Sequence, residues 1–430
     1  MTPDLPTPAD GSGESCGCPD FTLSRRRFLA TTVAGAGVLT AGQLFDDAWR
    51  QVAYGAAPGG NVVVVVSLRG GSDGLSMVVP RGADHDLLAA ARPGIVVPEA
   101  TLIGGDTNFG LHPAFAPLLP MWNAGTFGAV HAVGLPAPNR SHFDAMIEVE
   151  DADPGSSGRV GWINRVVGLD ASAQPEGAVQ LGSALLPTSL VGPAPALGVR
   201  RVQDLSVPTL ANDDAAIRRT SLGQMWARTS TPLGSSVRAT LATAERLAPL
   251  VASADDVVHP TAYPAGPLRE VLANTAALIR ADVGTRMVTV DYGNWDMHNG
   301  LGQPDSGWMA DQVTHLAGAL AAFFTDLGAA ASRVTVVTIS EFGRRVQENG
   351  DHGVDHGYGN AMLLLGAGVN GGGVRGQWAH LNDLNDGDLA IRQDFRSVLW
   401  EVLASRFPEV SGSKATVFPG FVPETVGAMS

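Results

Sequence analysis

The sequence predicts an α/β sandwich, with a central, largely parallel sheet and helices on both faces. Three observations predict it. Asn61 to Leu68 reads NVVVVVSL, an unbroken β-branched run of the kind found in a parallel strand buried on both faces. Further apolar runs at 128–133, 286–290, 331–339 and 360–365 alternate with stretches of helical period. Polar groups gather just beyond several of these runs, where an open α/β sheet presents a site.

The chain is long enough, at 430 residues, for one large domain or two moderate ones. Its formal charge of −14 excludes general binding to nucleic-acid backbones, which needs a positive surface. An anionic small molecule is not excluded, because Arg69, Arg140, Arg344 and Arg345 lie near the polar clusters in sequence.

From the N-terminus, Ser24-Arg25-Arg26-Arg27-Phe28-Leu29 precedes a mildly apolar stretch at 30–41. This is similar to a twin-arginine export signal, and the stretch is too short for a comfortable membrane span. Residues 1–57 are therefore expected to be leader and linker, with one folded domain at 58–430. The address implies contact with the twin-arginine export machinery and an extracellular, periplasmic or cell-envelope location. Both cysteines, Cys16 and Cys18, fall in the leader. Any metal in the domain must then be held by His, Asp or Glu.

The first strand, at 61–68, runs into Arg69-Gly70-Gly71-Ser72-Asp73, whose glycines permit a tight turn and set Asp73 just beyond the strand. His112-Pro113 opens a helical pattern through Trp122, with His112 at the helix start as a structural residue. His131 lies inside the second strand and reads as a core histidine. The chain then turns at prolines into Asn139-Arg140-Ser141-His142 and a new helix. Ser141 is placed either to cap that helix or to take part in chemistry, and Arg140 and His142 beside it are candidate site residues. Residues 161–167 begin another helix, and 168–265 read as a cap-like insertion that roofs the sheet, its part at about 168–215 an insertion or β-containing excursion. Helices are expected at 226–247, 268–282, 308–328 and 393–403.

The strand at 286–290 ends in Asp291-Tyr292-Gly293-Asn294-Trp295-Asp296-Met297-His298. Asp296 and His298 are two apart, so in extended backbone they point to one side and make a divalent-metal pair. The strand at 331–339 delivers Glu341, Arg344, Arg345, Asp355 and His356. Oxygen and imidazole donors favour Zn or Mn over Ca. An arginine, Arg140 or Arg344, suits bidentate binding of a phosphate or sulfate. Acid–base chemistry by His298 or His356 without a metal stays open.

LRGGSDGL at 68–75, NRSHFD at 139–144, WDMH at 295–298 and SEFGRR followed by DHGYGN together resemble the DUF1501 family across about residues 60–410. That family is regarded as a distant branch of the alkaline phosphatase and sulfatase superfamily. The resemblance implies an alkaline-phosphatase-like sandwich and an exported metal-dependent hydrolase of a phosphate or sulfate ester. Ser141 resembles the superfamily nucleophile, with metal-activated water as the other choice. Asp296, His298 and His356 match one metal centre. Asp73 and Glu341 match a second that lacks an imidazole unless His142 replaces it, because Phe342 stands where a ligand histidine is expected. Asp355 is expected to orient His356. One or two ions are implied. The altered second centre leaves an alternative, a non-catalytic binding or assembly protein of the cell envelope.

Overall fold

The computed structural model describes residues 59–206 and 214–430. The expected leader, both cysteines and the linker lie outside the described residues. Nine strands form the main sheet: β1 Val62–Leu68, β2 Phe127–Gly134, β3 Ala178–Leu181, β4 Leu197–Val199, β5 Met287–Tyr292, β6 Val334–Ile339, β7 Asn360–Gly366, β8 Val374–Arg375 and β9 Gln393–Asp394. Their order is β8-β2-β7-β6-β1-β5-β3-β4, with β9 also paired to β2. β1 lies between β5 and β6 and is parallel to both. Only β7 among these pairings runs against its neighbours, β2 and β6. The sheet is thus mixed, with a mainly parallel frame.

Among the described residues, eight α-helices of six or more residues accompany it: α1 Ala83–Ala91, α2 His142–Asp151, α3 Trp162–Val167, α4 Ala215–Trp226, α5 Pro232–Ala252, α6 Arg269–Arg280, α7 Trp308–Leu327 and α8 Phe395–Arg406. The period-two geometry of a strand sends alternate β1 side chains to opposite sides. Val62, Val64, Val66 and Leu68 join a core with Leu272 of α6 and Leu316, Leu320 and Phe323 of α7. Val63 and Val65 join the other core, with Met146 of α2, Trp162 of α3 and Leu399 of α8. That double burial is why β1 carries no polar alternation.

Three elements differ from expectation. Residues 168–265 do not simply roof the sheet, because β3 and β4 extend its edge in parallel register. These strands are only four and three residues long, too short for periodicity to reveal. The helix expected at 226–247 begins only at Pro232 and runs to Ala252, Trp226 being the last residue of the separate α4; the start is set where the Thr231 hydroxyl accepts from Gly234 N at 3.2 Å and Pro232 opens α5. The helix expected from Pro113 is 3-10 over Pro113–Leu118 and α-helical only at Leu119–Asn123. Pro117 lies within the 3-10 turn and has no N–H to donate.

His112 and His131 are structural, as expected. His112 Nδ1 accepts from Ala114 N at 3.1 Å. His131 donates from Nε2 to Val78 O at 3.0 Å and accepts at Nδ1 from Ala132 N. Burial pushes the pKa of each down to about 4.

Candidate metal centre

The carboxyl ends of β1, β5 and β6 lie side by side, and the loops after them meet. β2 leads through the proline turn to α2, whose first residue is His142. Because β7 runs the other way, its start lies at this same end and brings His356, four residues earlier. Five segments distant in sequence therefore converge.

His142, Asp296 and His356 form a group able to hold a metal ion. His356 Nε2 is 2.9 Å from His142 Nε2, and Asp296 Oδ1 is 3.4 Å from each of them. His298 stands beside the triad, its Nε2 2.9 Å from His356 Nε2 and 3.0 Å from Asp296 Oδ1. Donors around a tetrahedral zinc with bonds of about 2.0–2.1 Å are separated by roughly 3.3 Å. The spacing of the triad is of that size.

The other ring nitrogen of each histidine is accounted for. His356 Nδ1 donates to the Arg140 carbonyl at 2.9 Å. His298 Nδ1 donates to Asp355 Oδ1 at 2.8 Å, and His142 Nδ1 to Glu341 Oε1 at 3.2 Å. With each proton on Nδ1, all three Nε2 lone pairs face inward. Lone pairs 2.9 Å apart repel, and a cation among them turns repulsion into binding. This is how ligating imidazoles are held elsewhere, by a carbonyl or carboxylate on the far nitrogen.

Electrostatics favour a neutral His356 and ionised Asp296 and Asp355. Burial lowers the His356 pKa, and the nearby Arg344 charge lowers it further, so the ring is kept neutral. Burial works to raise the pKa of Asp296, but the hydrogen bond and charge of Arg344 outweigh it and hold the carboxyl below its usual range. The His298 hydrogen bond leads in holding Asp355 ionised. Phe342 packs its ring 4.8 Å from both His142 and His356, measured between centroids.

Several expected roles are corrected. Asp73 is not in the cluster. Its carboxylate takes a two-point ion pair from Arg92, at 2.5 and 3.1 Å, and a bond from Ser76 Oγ at 2.5 Å, leaving no oxygen facing the imidazoles. Glu341 orients rather than ligates: beyond His142, it accepts from Gly70 N at 2.7 Å and Gly71 N at 3.1 Å. Gly70 has φ +111°, and a Cβ there would lie 2.8 Å from Asp296 N, so the close approach of these loops requires glycine. Asp355 orients His298 instead of His356.

The arginines are internal braces rather than free anion sites. Arg344 is buried and donates to Gly71 O at 2.6 Å, Val354 O at 2.9 Å, Gly70 O and Asp296 Oδ1 at 2.7 Å. It ties the β1, β5 and β6 loops together. Arg140 pairs with Asp388 and, at 3.5 Å, with Asp386. Ser141 caps α2, its hydroxyl accepting from Asp144 N at 3.4 Å. Among the described residues no bond links that hydroxyl to the cluster.

Other contributors gave no sequence signal. Asn349 donates to Asp355 Oδ1 at 3.0 Å and to His298 O at 2.8 Å. Asp388, through Arg140, steadies the segment whose carbonyl holds His356. An asparagine in a loop and an aspartate in a remote hairpin look like ordinary turn residues in sequence.

The DUF1501 family pattern, which carries the description "protein of unknown function", matches residues 107–392. No curated protein matches the chain. Among solved structures, the C-terminal periplasmic domain of EcEptC from Escherichia coli, in complex with Zn, is 10% identical at TM-score 0.37, covering 85% of this chain and 88% of that one. A second structure of that domain is 9% identical at TM-score 0.36, with the same coverage. Alkaline phosphatase from the Antarctic bacterium TAB5 is 11% identical at TM-score 0.27, covering 72% of this chain and 92% of that one. These likenesses are weak, and the chemistry of the site rests on its donor geometry.

Proposed function

We propose that this chain, which belongs to the DUF1501 family, is an exported metal-dependent hydrolase of a phosphate or sulfate ester. The observation that carries the reading is the convergence of three inward-facing imidazole nitrogens on Asp296 Oδ1, each imidazole fixed from behind. His142, Asp296 and His356 would hold the ion, with His298 as a fourth donor. Imidazole-rich sites suit zinc better than manganese, which prefers oxygen donors. A divalent ion supplies Lewis acidity to an ester oxygen and acidifies water, so that a nucleophile exists at neutral pH.

The chain's own residues do the rest. Glu341, Asp355 and the Arg140 carbonyl accept from the three Nδ1–H groups and so aim each Nε2 inward. Arg344 keeps Asp296 ionised and in place. Phe342 closes one side with an apolar ring. Water is the favoured nucleophile, because Ser141 is committed to capping α2. The substrate class is an anionic small-molecule ester, and export rests on the motif at Ser24–Leu29.

Metal content by elemental analysis, anomalous scattering at the zinc edge and a screen of phosphate and sulfate esters test this reading. One zinc per chain and turnover that is lost in His356→Ala but kept in Ser141→Ala are expected. A metal-free protein, or activity indifferent to His356→Ala, overturns it.

One observation favours a second reading, a cell-envelope binding or assembly protein. Arg140 and Arg344, the cations expected to receive the ester, are both engaged internally. Stoichiometric metal without turnover of any ester, together with co-purification of a defined envelope component, is the outcome that reading predicts.

A further inference from the structure

The helix that supplies His142 also shapes what lies beside it. Phe143, Met146 and Ile147 follow at helical spacing on one side of α2. With His142 and Glu341 they line a cleft of about 310 Å³. Phe143 is 85% exposed, although it is the residue next to a candidate ligand. The fold gains nothing from placing a phenyl ring in water there.

The charges of the cleft are already matched. Arg69 pairs with Glu150 at 2.6 Å and with Asp291 at 2.8 Å. The second oxygen of Glu150 accepts from Thr188 N at 2.8 Å. The segment bringing Thr188 to the cleft carries Leu185 and Leu186, exposed at 82% and 37%. A charged substituent would have to break these pairs, whereas an apolar one would cover Phe143 and Ile147.

We infer that the substrate carries an apolar aryl or short alkyl substituent, seated in this cleft while its anionic group meets the metal centre. This rests on the hydrolase reading above. His142 and Glu341 belong to both regions, so the two ends of one molecule can be bound together. An apolar cavity of about 150 Å³ holds benzene, so the cleft has room for an aryl group or a chain of about six carbons.

Calorimetric titration of the zinc-loaded full chain with paired phosphonates and paired sulfonates, methyl against hexyl, tests the inference without requiring turnover. In at least one pair, hexyl is expected to bind ten or more times tighter than methyl. Phe143→Ser is expected to collapse that ratio below threefold, with zinc content checked in parallel. Ile147→Ser, five residues and more than a turn from His142, is expected to reduce the ratio independently of any disturbance of the ligand. Methyl and hexyl compounds that bind equally overturn the cleft but leave the metal reading standing. A ratio unchanged in both variants also overturns it. No binding of any of the four compounds overturns both.

Discussion

Asp73 and Asp296 follow neighbouring parallel strands, β1 and β5, and only one of them faces the imidazoles. Each is bonded to an arginine. Asp73 is sealed in, 2% exposed, with Arg92 gripping both oxygens. Asp296 keeps a 47% exposed side chain, and the oxygen that meets Arg344 also faces three Nε2 atoms. A carboxylate beyond a strand end is therefore not a ligand by position. What distinguishes the two is whether an oxygen remains turned toward other donors.

The sharpest way to break that contrast is to remove the donors. His356→Ala deletes the nitrogen nearest to both other imidazoles. Zinc content measured after dialysis is expected to fall from one per chain to near zero, with the fold intact. Asp73→Asn should do the opposite. It leaves the Arg92 charge buried without its counter-ion, a change that typically costs about 3–5 kcal/mol. Urea unfolding is expected to show that loss, while zinc stoichiometry of the folded protein stays at one. Loss of zinc from folded Asp73→Asn would erase the distinction.

A similar contrast separates the histidines facing the centre from His112 and His131, which are sealed in the core. His112 and His131 have folded pKa values near 4 against about 6.5 unfolded, because burial penalises the charged ring. Between these values the unfolded chain binds more protons, so stability falls as pH drops from about 6.5 to about 4. Each contributes a loss of about 3 kcal/mol over that window. Replacing His131 by Gln, with its own donor and acceptor, should flatten the acid limb of urea midpoints measured from pH 7 to 4.

Much of this was legible in sequence, and the failures share a cause. β1, β5, β6 and β7 announce themselves because strands buried on both faces need continuous apolar runs. Asp296, His298 and His356 stood out because a strand-end loop has no packing use for imidazoles and acids together. Asp73, Arg344 and Glu341 were equally visible but assigned the wrong work. Their roles depend on partners 19, 273 and 271 residues away: Arg92, the Gly71 carbonyl and the Gly70 amide. Nothing local encodes those partners. The edge strands β3 and β4 are legible only as a β-containing stretch without bounds, for the separate reason that three or four residues show no period.

Glu341 provides the finest test, since it stands between the two kinds of carboxylate. Like Asp73 it is buried, and like Asp296 it meets an imidazole, but through Nδ1 rather than Nε2. Glu341→Gln keeps the shape and turns an amide donor toward Gly70 N, Gly71 N or His142 Nδ1, where only acceptors fit. Losing such an orienting partner weakens a metal site about 10- to 100-fold. Competition with a zinc chelator is expected to show a weakening of that size, with stoichiometry still one per chain. Complete loss of zinc would make Glu341 a ligand and restore the role expected from sequence. An unchanged affinity would mean that His142 needs no support, and would leave Asp355 and the Arg140 carbonyl as the contacts that set the centre.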